Sequence, residues 1–231
     1  MGRLRLFQVY KTMTVDIIIP VHNAEETIND TLDSVYAQTF KDFRIIAVDN
    51  GSEDNSYSII QRRCHDAIRW HEAKGPAWAR KAGLHFSTAE FFLPLDADDM
   101  IEPTFLEKTL DRMTKQTGIV STGMIRFGLC RDYIPAKKRT FEEQMKSNEI
   151  PVTSLIRREA YNRTEGYREC VPGWEDWELW ISILEDGWDH KIVDEPLFLY
   201  RTSNSGMNSH ADAHKGELRR KMIQMHPGFR G

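Results

Sequence analysis

The stretch Val15-Asp-Ile-Ile-Ile-Pro20 is a short, apolar, β-branched run that ends at a proline, and this pattern predicts a buried strand. Apolar residues then recur at helical spacing from Ile28 to Tyr36, which predicts a helix. Asn23 is expected to cap that helix, because Glu26 lies three residues later in the capping-box position. The stretch is therefore predicted to start a strand–helix unit.

The same alternation continues over the first hundred residues. Residues 43–48, 68–71 and 90–95 are predicted strands, and helices are predicted over residues 54–63, with Asp54 as the cap, and over residues 76–85. Strands that alternate with helices form mostly parallel sheets with helices on both faces. We therefore expect an α/β fold with a Rossmann-like, mostly parallel central sheet.

The second half of the chain carries weaker signals. Helices are predicted from Pro103 and over residues 174–185 and 216–225, and strands over residues 118–127, 191–193 and 197–200. Residues 128–150 are polar and include the basic run Lys137-Lys138-Arg139, so we interpret them as a mobile loop over the site. Residues 202–215 are rich in Ser, Asn and His, and we expect them to be flexible.

The bulk composition argues against several classes of protein. The 231 residues include 31 basic and 35 acidic side chains, a formal net charge of −4, which argues against a nucleic-acid partner. The 3 cysteines show no disulfide or metal pattern, so we expect reduced thiols and a cytoplasmic protein. No apolar run approaches the ~20 residues of a membrane span. We do not expect the basic N-terminus to be a signal peptide, and peripheral attachment to a membrane stays open.

An acidic cluster follows the fourth predicted strand. Parallel sheets bind ligands at the carboxyl ends of their strands, where Asp96, Asp98 and Asp99 are predicted to lie. Three carboxylates in four residues repel each other, so the cluster needs a cation. Mg²⁺ and Mn²⁺ take oxygen ligands and often bridge carboxylates to phosphates. A solvated acidic turn that caps the helix at Pro103 is the alternative.

The helix predicted from Trp174 separates its carboxylates onto two faces. Glu175, Glu178, Ser182 and Glu185 share one stripe, which we interpret as solvated. Asp176 instead shares a face with Leu179, Trp180 and Ile183, where burial would raise its pKa and make it a better base. A carboxylate stabilised by the helix dipole is the alternative.

The tryptophans of this helix show helical spacing, which is more often typical of a core than of a binding site. Trp174 lies at the loop–helix junction after Gly173. We therefore expect it, rather than Trp177 or Trp180, to contact a ligand.

Four segments, taken in order, resemble the family 2 glycosyltransferases, which have the GT-A fold. They are Ile17-Ile-Ile-Pro-Val-His-Asn23, Val48-Asp-Asn-Gly-Ser-Glu-Asp54, Leu95-Asp-Ala-Asp-Asp99 and Trp174-Glu-Asp-Trp-Glu-Leu-Trp180, and the pair Tyr200-Arg201 follows them. The resemblance implies a GT-A domain over residues 14–202, with a nucleotide-sugar-binding half at 14–100 and an acceptor-binding half at 101–202. Residues 1–13 are then an N-terminal extension, and residues 203–231 a flexible tail with a short helix.

The resemblance also implies roles for individual residues. Pro20 lines the base pocket, Asp96 contacts the ribose, Asp98 ligates the metal and Asp176 is the catalytic base. The remaining substrate-binding candidates are Asn23, Glu25, Asn50, Arg80, Trp174, Glu175 and Arg201.

Two of these candidates leave alternatives open. The family usually has an aspartate at the position of Asn50, and that aspartate often accepts a proton from the base ring. An amide both donates and accepts hydrogen bonds, so the identity of the base stays open. The guanidinium of Arg80 suits a phosphate or the base, and a surface arginine is the alternative.

We therefore expect a Mn²⁺- or Mg²⁺-dependent glycosyltransferase that moves one sugar, with inversion, from a nucleotide-sugar donor onto a hydroxyl of a carbohydrate or other glycosylated acceptor. One alternative is a sugar nucleotidyltransferase, which would normally carry a glycine-rich, basic loop where this chain has Val21-His-Asn-Ala-Glu25. The other is a nucleotide- or carbohydrate-binding module with degenerate chemistry. Asp98 and Asp176 argue against that module, because each suits a catalytic role.

Overall fold

The computed structural model describes residues 14–202 and 214–231. Its strands are β1 Val15–Val21, β2 Phe43–Asn50, β3 Asp66–Trp70, β4 Phe91–Pro94, β5 Met100–Ile101, β6 Thr117–Gly128, β7 Asp132–Ile134, β8 Leu155–Arg157 and β9 Asp189–Thr202. Its helices are α1 Ile28–Tyr36, α2 Ser56–Arg63, α3 Pro76–His85, α4 Phe105–Asp111, α5 Phe141–Gln144, α6 Arg158–Asn162, α7 Glu175–Glu185 and α8 Lys215–Met225.

The strands form one curled sheet in the order β3-β2-β1-β4-β8-β6-β9-β5, and β7 pairs with β6. The pairs β1–β2, β1–β4, β2–β3 and β6–β9 are parallel. The short strand β8 is antiparallel to β4 and β6, so the carboxyl ends of β1, β2, β4, β6 and β9 lie at one edge of the sheet. The expected mostly parallel α/β fold is confirmed.

Both faces of the sheet are covered, because neighbouring residues of β1 point to opposite sides. Ile17 and Ile19 pack in a cluster with Leu32 of α1 and Phe105 of α4. Ile18 packs in a second cluster that holds side chains of α3 and α7. Full burial of one such side chain contributes about 1.5–3 kcal/mol, so the two clusters fix the sheet between its helices.

The first helix is capped by a different residue from the one predicted. Thr27 is the N-cap residue of α1, so the prediction of an N-cap at Asn23 is wrong. Asn23 instead has a φ of 48°, and its Oδ1 accepts a hydrogen bond from the backbone N–H of Glu53 at 2.8 Å. The side chain is therefore used to join two loops.

Residues 128–150 contain regular structure, unlike the irregular mobile loop that we expected. They contain the short strand β7, and they contain the helix α5, which begins with a capping box between Thr140 and Glu143. The indole Nε1 of Trp177 donates to the carbonyl oxygen of Gln144 at 2.7 Å. This contact ties the segment to α7.

The two strands predicted over residues 191–193 and 197–200 are parts of one longer strand, β9.

The C-terminal helix packs against the rest of the domain. Leu218, Met222 and Phe229 form a cluster with Trp177 and Ile181 of α7. We expected a flexible tail over residues 203–231. In the described part of it, residues 214–231, apolar side chains of α8 instead pack on α7. Residues 1–13 and 203–213, which include all of the predicted N-terminal extension and most of the predicted flexible segment, lie outside the described residues.

Candidate active site

The loops after β1 and β2 form one wall of the candidate site. Pro20 is buried in β1 and is paired with Val48 of β2. The backbone N–H of Asn23 donates to Ser52 Oγ at 3.0 Å, and Glu25 Oε2 accepts from Asn55 N and Nδ2 at 2.9 and 2.8 Å. The side chains of Asn23 and Glu25 therefore hold the two loops together, as well as lying at the predicted substrate edge.

Asn50 is buried at the end of β2, where its side chain fixes the neighbouring loop. Its Oδ1 accepts a hydrogen bond from the backbone N–H of Lys74 at 2.9 Å. The next residue, Gly51, has a φ of 77°, and a Cβ there would lie 2.7 Å from the backbone nitrogen of Ala73. A glycine is therefore required for the loop to approach this closely.

The three carboxylates after β4 lie in different surroundings. Asp96 is partly exposed and forms an ion pair with Arg80 at 2.6 Å. Burial and then the charge of Asp96 raise the pKa of Asp98. Asp99 is only 1% exposed, and burial and the charges of Asp96 and Asp98 raise its pKa well above its usual value. The alternative of a solvated acidic turn is therefore wrong for Asp99, and Asp98 is half-buried.

The acidic loop fits a divalent cation that is shared with a phosphate ligand. Within residues 14–202 and 214–231, no group of three or more His, Cys, Asp or Glu side chains is arranged to hold a metal ion. Mg²⁺ and similar ions are commonly bound through one or two carboxylates, with substrate phosphates as further ligands. Asp98 offers such a carboxylate, and the buried Asp99 Oδ2 has no hydrogen-bond partner in the part of the chain that the structure describes.

Arg201 holds the acidic loop against β9. Its backbone N–H donates to Asp99 Oδ1 at 2.7 Å, and its Nε donates to the carbonyl oxygen of Asp98 at 2.8 Å. Its guanidinium also lies over the ring of Phe127, 4.6 Å from the centroid. These contacts indicate that Arg201 positions the loop.

Arg80 of α3 connects the acidic loop to α7. The side chain is buried, with 2% exposed, so the alternative of a surface arginine is wrong. Its Nη2 bonds Asp96 at 2.6 Å and its Nη1 bonds Glu175 at 2.9 Å. The guanidinium also lies over Tyr167, 5.6 Å from the ring centroid. One cation thus satisfies carboxylates from two separate segments.

The predicted solvated stripe of α7 is wrong at two of its carboxylates. Glu175 is 3% exposed and Glu178 is fully buried. Glu175 is covered by Arg80, and its Oε2 accepts the N–H of Gly173 at 2.6 Å. Glu178 lies 3.0 Å from Arg168 and 3.1 Å from His226. The periodicity of one helix does not show which distant cations pack on its polar face.

Asp176 lies at the start of α7 and is half-buried. Its Oδ1 accepts the backbone N–H of Trp177 at 2.8 Å, and its Oδ2 accepts from Asn148 Nδ2 at 3.1 Å. Burial, together with the neighbouring charge of Glu175, raises the pKa of Asp176 to about 6, although Asn148 and Arg80 oppose this rise. The carboxylate is therefore ionised at neutral pH yet basic enough to take a proton.

Trp174 lies beside the site within an aromatic cluster. Its ring centroid lies 5.0 Å from that of Trp177 and 6.1 Å from that of Phe229. Trp177 and Trp180 are buried, as their helical spacing indicates. The half-buried Trp174 has a packing role in addition to its predicted ligand contact.

Two residues of the site carried no signal in the sequence. Asn148 contacts Asp176, but it lies in the segment that we interpreted as a mobile loop. Tyr167 is fully buried under Arg80, and its hydroxyl has no hydrogen-bond partner among the described residues. No periodic pattern surrounds either residue, so only the fold brings them to the site.

Comparison with known proteins fits this geometry. The family model described as Glycosyl transferase family 2 matches residues 16–170. The chain belongs to this family. A similar protein, the Escherichia coli UDP-Glc:alpha-D-GlcNAc-diphosphoundecaprenol beta-1,3-glucosyltransferase WfgD, is 28% identical over 181 residues, which are 74% of this chain and 70% of WfgD.

Solved structures show that the fold of this family 2 glycosyltransferase is GT-A. The crystal structure of S. aureus TarS 1-349 in complex with UDP-GlcNAc matches with a TM-score of 0.77 and 17% identity, over 92% of this chain and 66% of that one. The mannosyltransferase PcManGT from Pyrobaculum calidifontis, in complex with GDP-Man and Mn2+, matches with a TM-score of 0.73 and 18% identity, over 93% and 65%. The chain thus spans just under two thirds of both solved chains.

Within residues 14–202 and 214–231, no helix is both long and apolar enough to cross a membrane.

Proposed function

We propose that this family 2 glycosyltransferase transfers a single sugar from a nucleoside diphosphate sugar to an acceptor hydroxyl, with inversion and with the help of Mn²⁺ or Mg²⁺. The observation that carries the proposal is the half-buried carboxylate of Asp176. It lies at the same edge of the sheet as the acidic loop, and its pKa is raised to about 6. A base and an acidic loop at one edge of the sheet suit a sugar transfer, because the base can take the proton of the acceptor and the loop can hold a cation near the diphosphate.

The reaction is a single displacement at the anomeric carbon. Asp176 takes the proton of the acceptor hydroxyl, and the oxygen forms its bond from the face opposite the diphosphate. The bond between the anomeric carbon and the diphosphate oxygen breaks, and its electron pair leaves with the diphosphate. One displacement inverts the anomeric centre, and a positioned general base typically contributes ~10²–10⁴-fold to the rate.

The other candidate residues have supporting roles in this proposal. Asp98 would hold the divalent cation, which when bound neutralises charge on the diphosphate. Asp96 contacts the ribose, and Pro20 and Asn50 line the base pocket. Asn23, Glu25 and Arg201 shape the loops around the donor, while Trp174 lies beside the acceptor.

The partner molecules are proposed from the relatives. TarS and PcManGT were solved with UDP-GlcNAc and with GDP-Man and Mn2+, so a nucleotide sugar is the proposed donor. The name of WfgD describes a lipid-linked diphosphate acceptor. This supports a glycosylated acceptor, and a peripheral membrane association of a cytoplasmic protein is part of the proposal.

A thermal-shift panel tests the donor and the metal. UDP-glucose, UDP-GlcNAc and GDP-mannose are each added with and without Mn²⁺, and a ligand that binds only the folded state raises the Tm. We expect one donor to raise the Tm more with Mn²⁺ than without it.

The released product then separates the three candidate functions. A glycosyltransferase releases a nucleoside diphosphate, whereas a nucleotidyltransferase releases or consumes pyrophosphate. A binding module raises the Tm with ligand but releases neither product. Nucleotide binding without nucleoside diphosphate release in the presence of Mn²⁺ and acceptor sugars would contradict the proposal.

A further inference from the structure

Asn148 is the neutral side chain that bonds the free end of the Asp176 carboxylate. Its Nδ2 lies 3.1 Å from Asp176 Oδ2. On the other side, Gln144 Nε2 donates to Asn148 Oδ1 at 2.9 Å. An ionised carboxylate only accepts hydrogen bonds, so Asn148 must donate to it. The order of donors Gln144, Asn148, Asp176 follows from that requirement.

The start of this chain of hydrogen bonds is fixed. Gln144 is fully buried at the end of α5, and its carbonyl oxygen accepts the indole N–H of Trp177 at 2.7 Å. Trp177 is the residue that follows Asp176, so the segment from Gln144 to Asn148 is held to the start of α7 at two points. Asn148 is therefore placed by buried contacts, although it is exposed itself.

We propose that Asn148 is a positioning residue for the catalytic base, holding Asp176 Oδ2 so that the carboxylate stays ionised and keeps one orientation toward the acceptor hydroxyl. The inference rests on the proposed role of Asp176. The backbone N–H of Trp177 already holds Oδ1. With the second oxygen held by Asn148, rotation of the carboxylate would break a hydrogen bond.

The charges around Asp176 explain why a neutral donor matters there. Burial and the charge of Glu175 raise the pKa of Asp176, whereas Asn148 and Arg80 lower it. The hydroxyl of Tyr167 also lies within electrostatic reach of Asp176. Arg80 is already shared by Asp96 and Glu175. Asn148 is thus a side-chain donor to Asp176 that the contacts above do not share with another carboxylate, since its Oδ1 accepts a hydrogen bond from Gln144.

The test follows the titration of Asp176 directly in the free protein. Aspartate labelled with ¹³C at the carboxyl is incorporated, and the signal that Asp176→Asn removes is followed by NMR from pH 4 to pH 8. We expect Asn148→Ala to raise the titration midpoint by roughly half a pH unit, given that the bond is partly exposed. Asn148→Asp should raise it further, because it places a second negative charge beside Asp176.

The matched control is Lys146→Ala, an exposed residue of the same segment, which should leave the midpoint unchanged. A purely structural role of Asn148 would lower the Tm without moving the midpoint. If neither Asn148 variant moves the midpoint, the inference is overturned, whatever the activity of the protein. If Asp176→Asn transfers sugar normally, the proposed role of Asp176 as the base is wrong. Asn148 then still holds Asp176 but does not position a catalytic base.

Discussion

The carboxylate of Asp176 links the acidity of the site to the rate of the reaction. Because its pKa is raised to about 6, it loses the charge that a base needs as the pH falls through that value. We expect kcat to fall about tenfold per pH unit below pH 6 and to level off above pH 7. A pH profile of nucleoside diphosphate release measures this limb. A flat profile between pH 5 and 7 would indicate a different base.

Replacement of the same residue tests its role without disturbing the packing. Asp176→Asn is nearly isosteric, so we expect the fold and the donor affinity to be kept while kcat falls by ~10²–10⁴-fold. The control is Asp189→Asn, the same change at an exposed position, which should keep wild-type turnover. If both variants are equally active, the Glu-Asp pair of α7 is structural.

Asp98 is expected to act on the donor rather than on the acceptor. Asp98→Ala removes the carboxylate proposed to hold the cation, so Mn²⁺ should no longer increase nucleotide affinity. Calorimetry with UDP or GDP, with and without Mn²⁺, measures this difference. The exposed Asp111→Ala serves as the control. Nucleotide affinity that depends on Mn²⁺ equally in both variants would mean that the cation is held elsewhere.

The link between α3 and α7 depends on the shape of the arginine side chain as well as its charge. Arg80 bonds Asp96 and Glu175 through two different nitrogens, and a lysine ammonium does not reproduce this fork. Arg80→Lys should therefore lower the free energy of unfolding by about 2 kcal/mol and reduce turnover. Urea unfolding measures the first effect, and the exposed Arg62→Lys is the matched control. Equal stability of the two variants would contradict a structural fork.

Long elements were predictable from the sequence because their periodicity is local. The four strands of the first half and the helix with Asp176 were predicted within a few residues of their observed bounds. The short elements β5, β7, β8, α5 and α6 were not predicted, since two to five residues are too few for a period to emerge. The parallel pairing of β6 with β9 joins segments about 70 residues apart, and no local pattern encodes it.

The candidate site was predictable only in part for the same reason. Strand ends and charge clustering drew attention to Asp96 and Asp98, a helical face drew attention to Asp176, and the roles predicted for all three were implied by the family resemblance. The burial of Glu175 and Glu178 was missed, because it depends on Arg80, Arg168 and His226 from distant parts of the chain. Asn148 was missed because its place depends on the buried contacts of Gln144.

The C-terminal helix supports the whole molecule through its contacts with α7. Phe229 is 3% exposed and lies 4.9 Å from Trp177, centroid to centroid. Phe229→Ala should lower the free energy of unfolding by about 3 kcal/mol or more. Ile223→Ala on α8 removes a side chain that is 39% exposed and should cost much less. Urea denaturation of both variants measures the difference, and equal losses would mean that the C-terminal packing contributes little.

The bridge made by Arg80 has a thermodynamic consequence for how strongly the two substrates bind when both are present. Asp96 belongs to the proposed donor side and Glu175 to the helix of the proposed base, and both share one guanidinium. A donor that bonded Asp96 would change how that positive charge is divided between Asp96 and Glu175, and would thereby change the field at the proposed acceptor side. Linkage then requires reciprocity: if bound donor tightens acceptor binding by some factor, bound acceptor must tighten donor binding by the same factor.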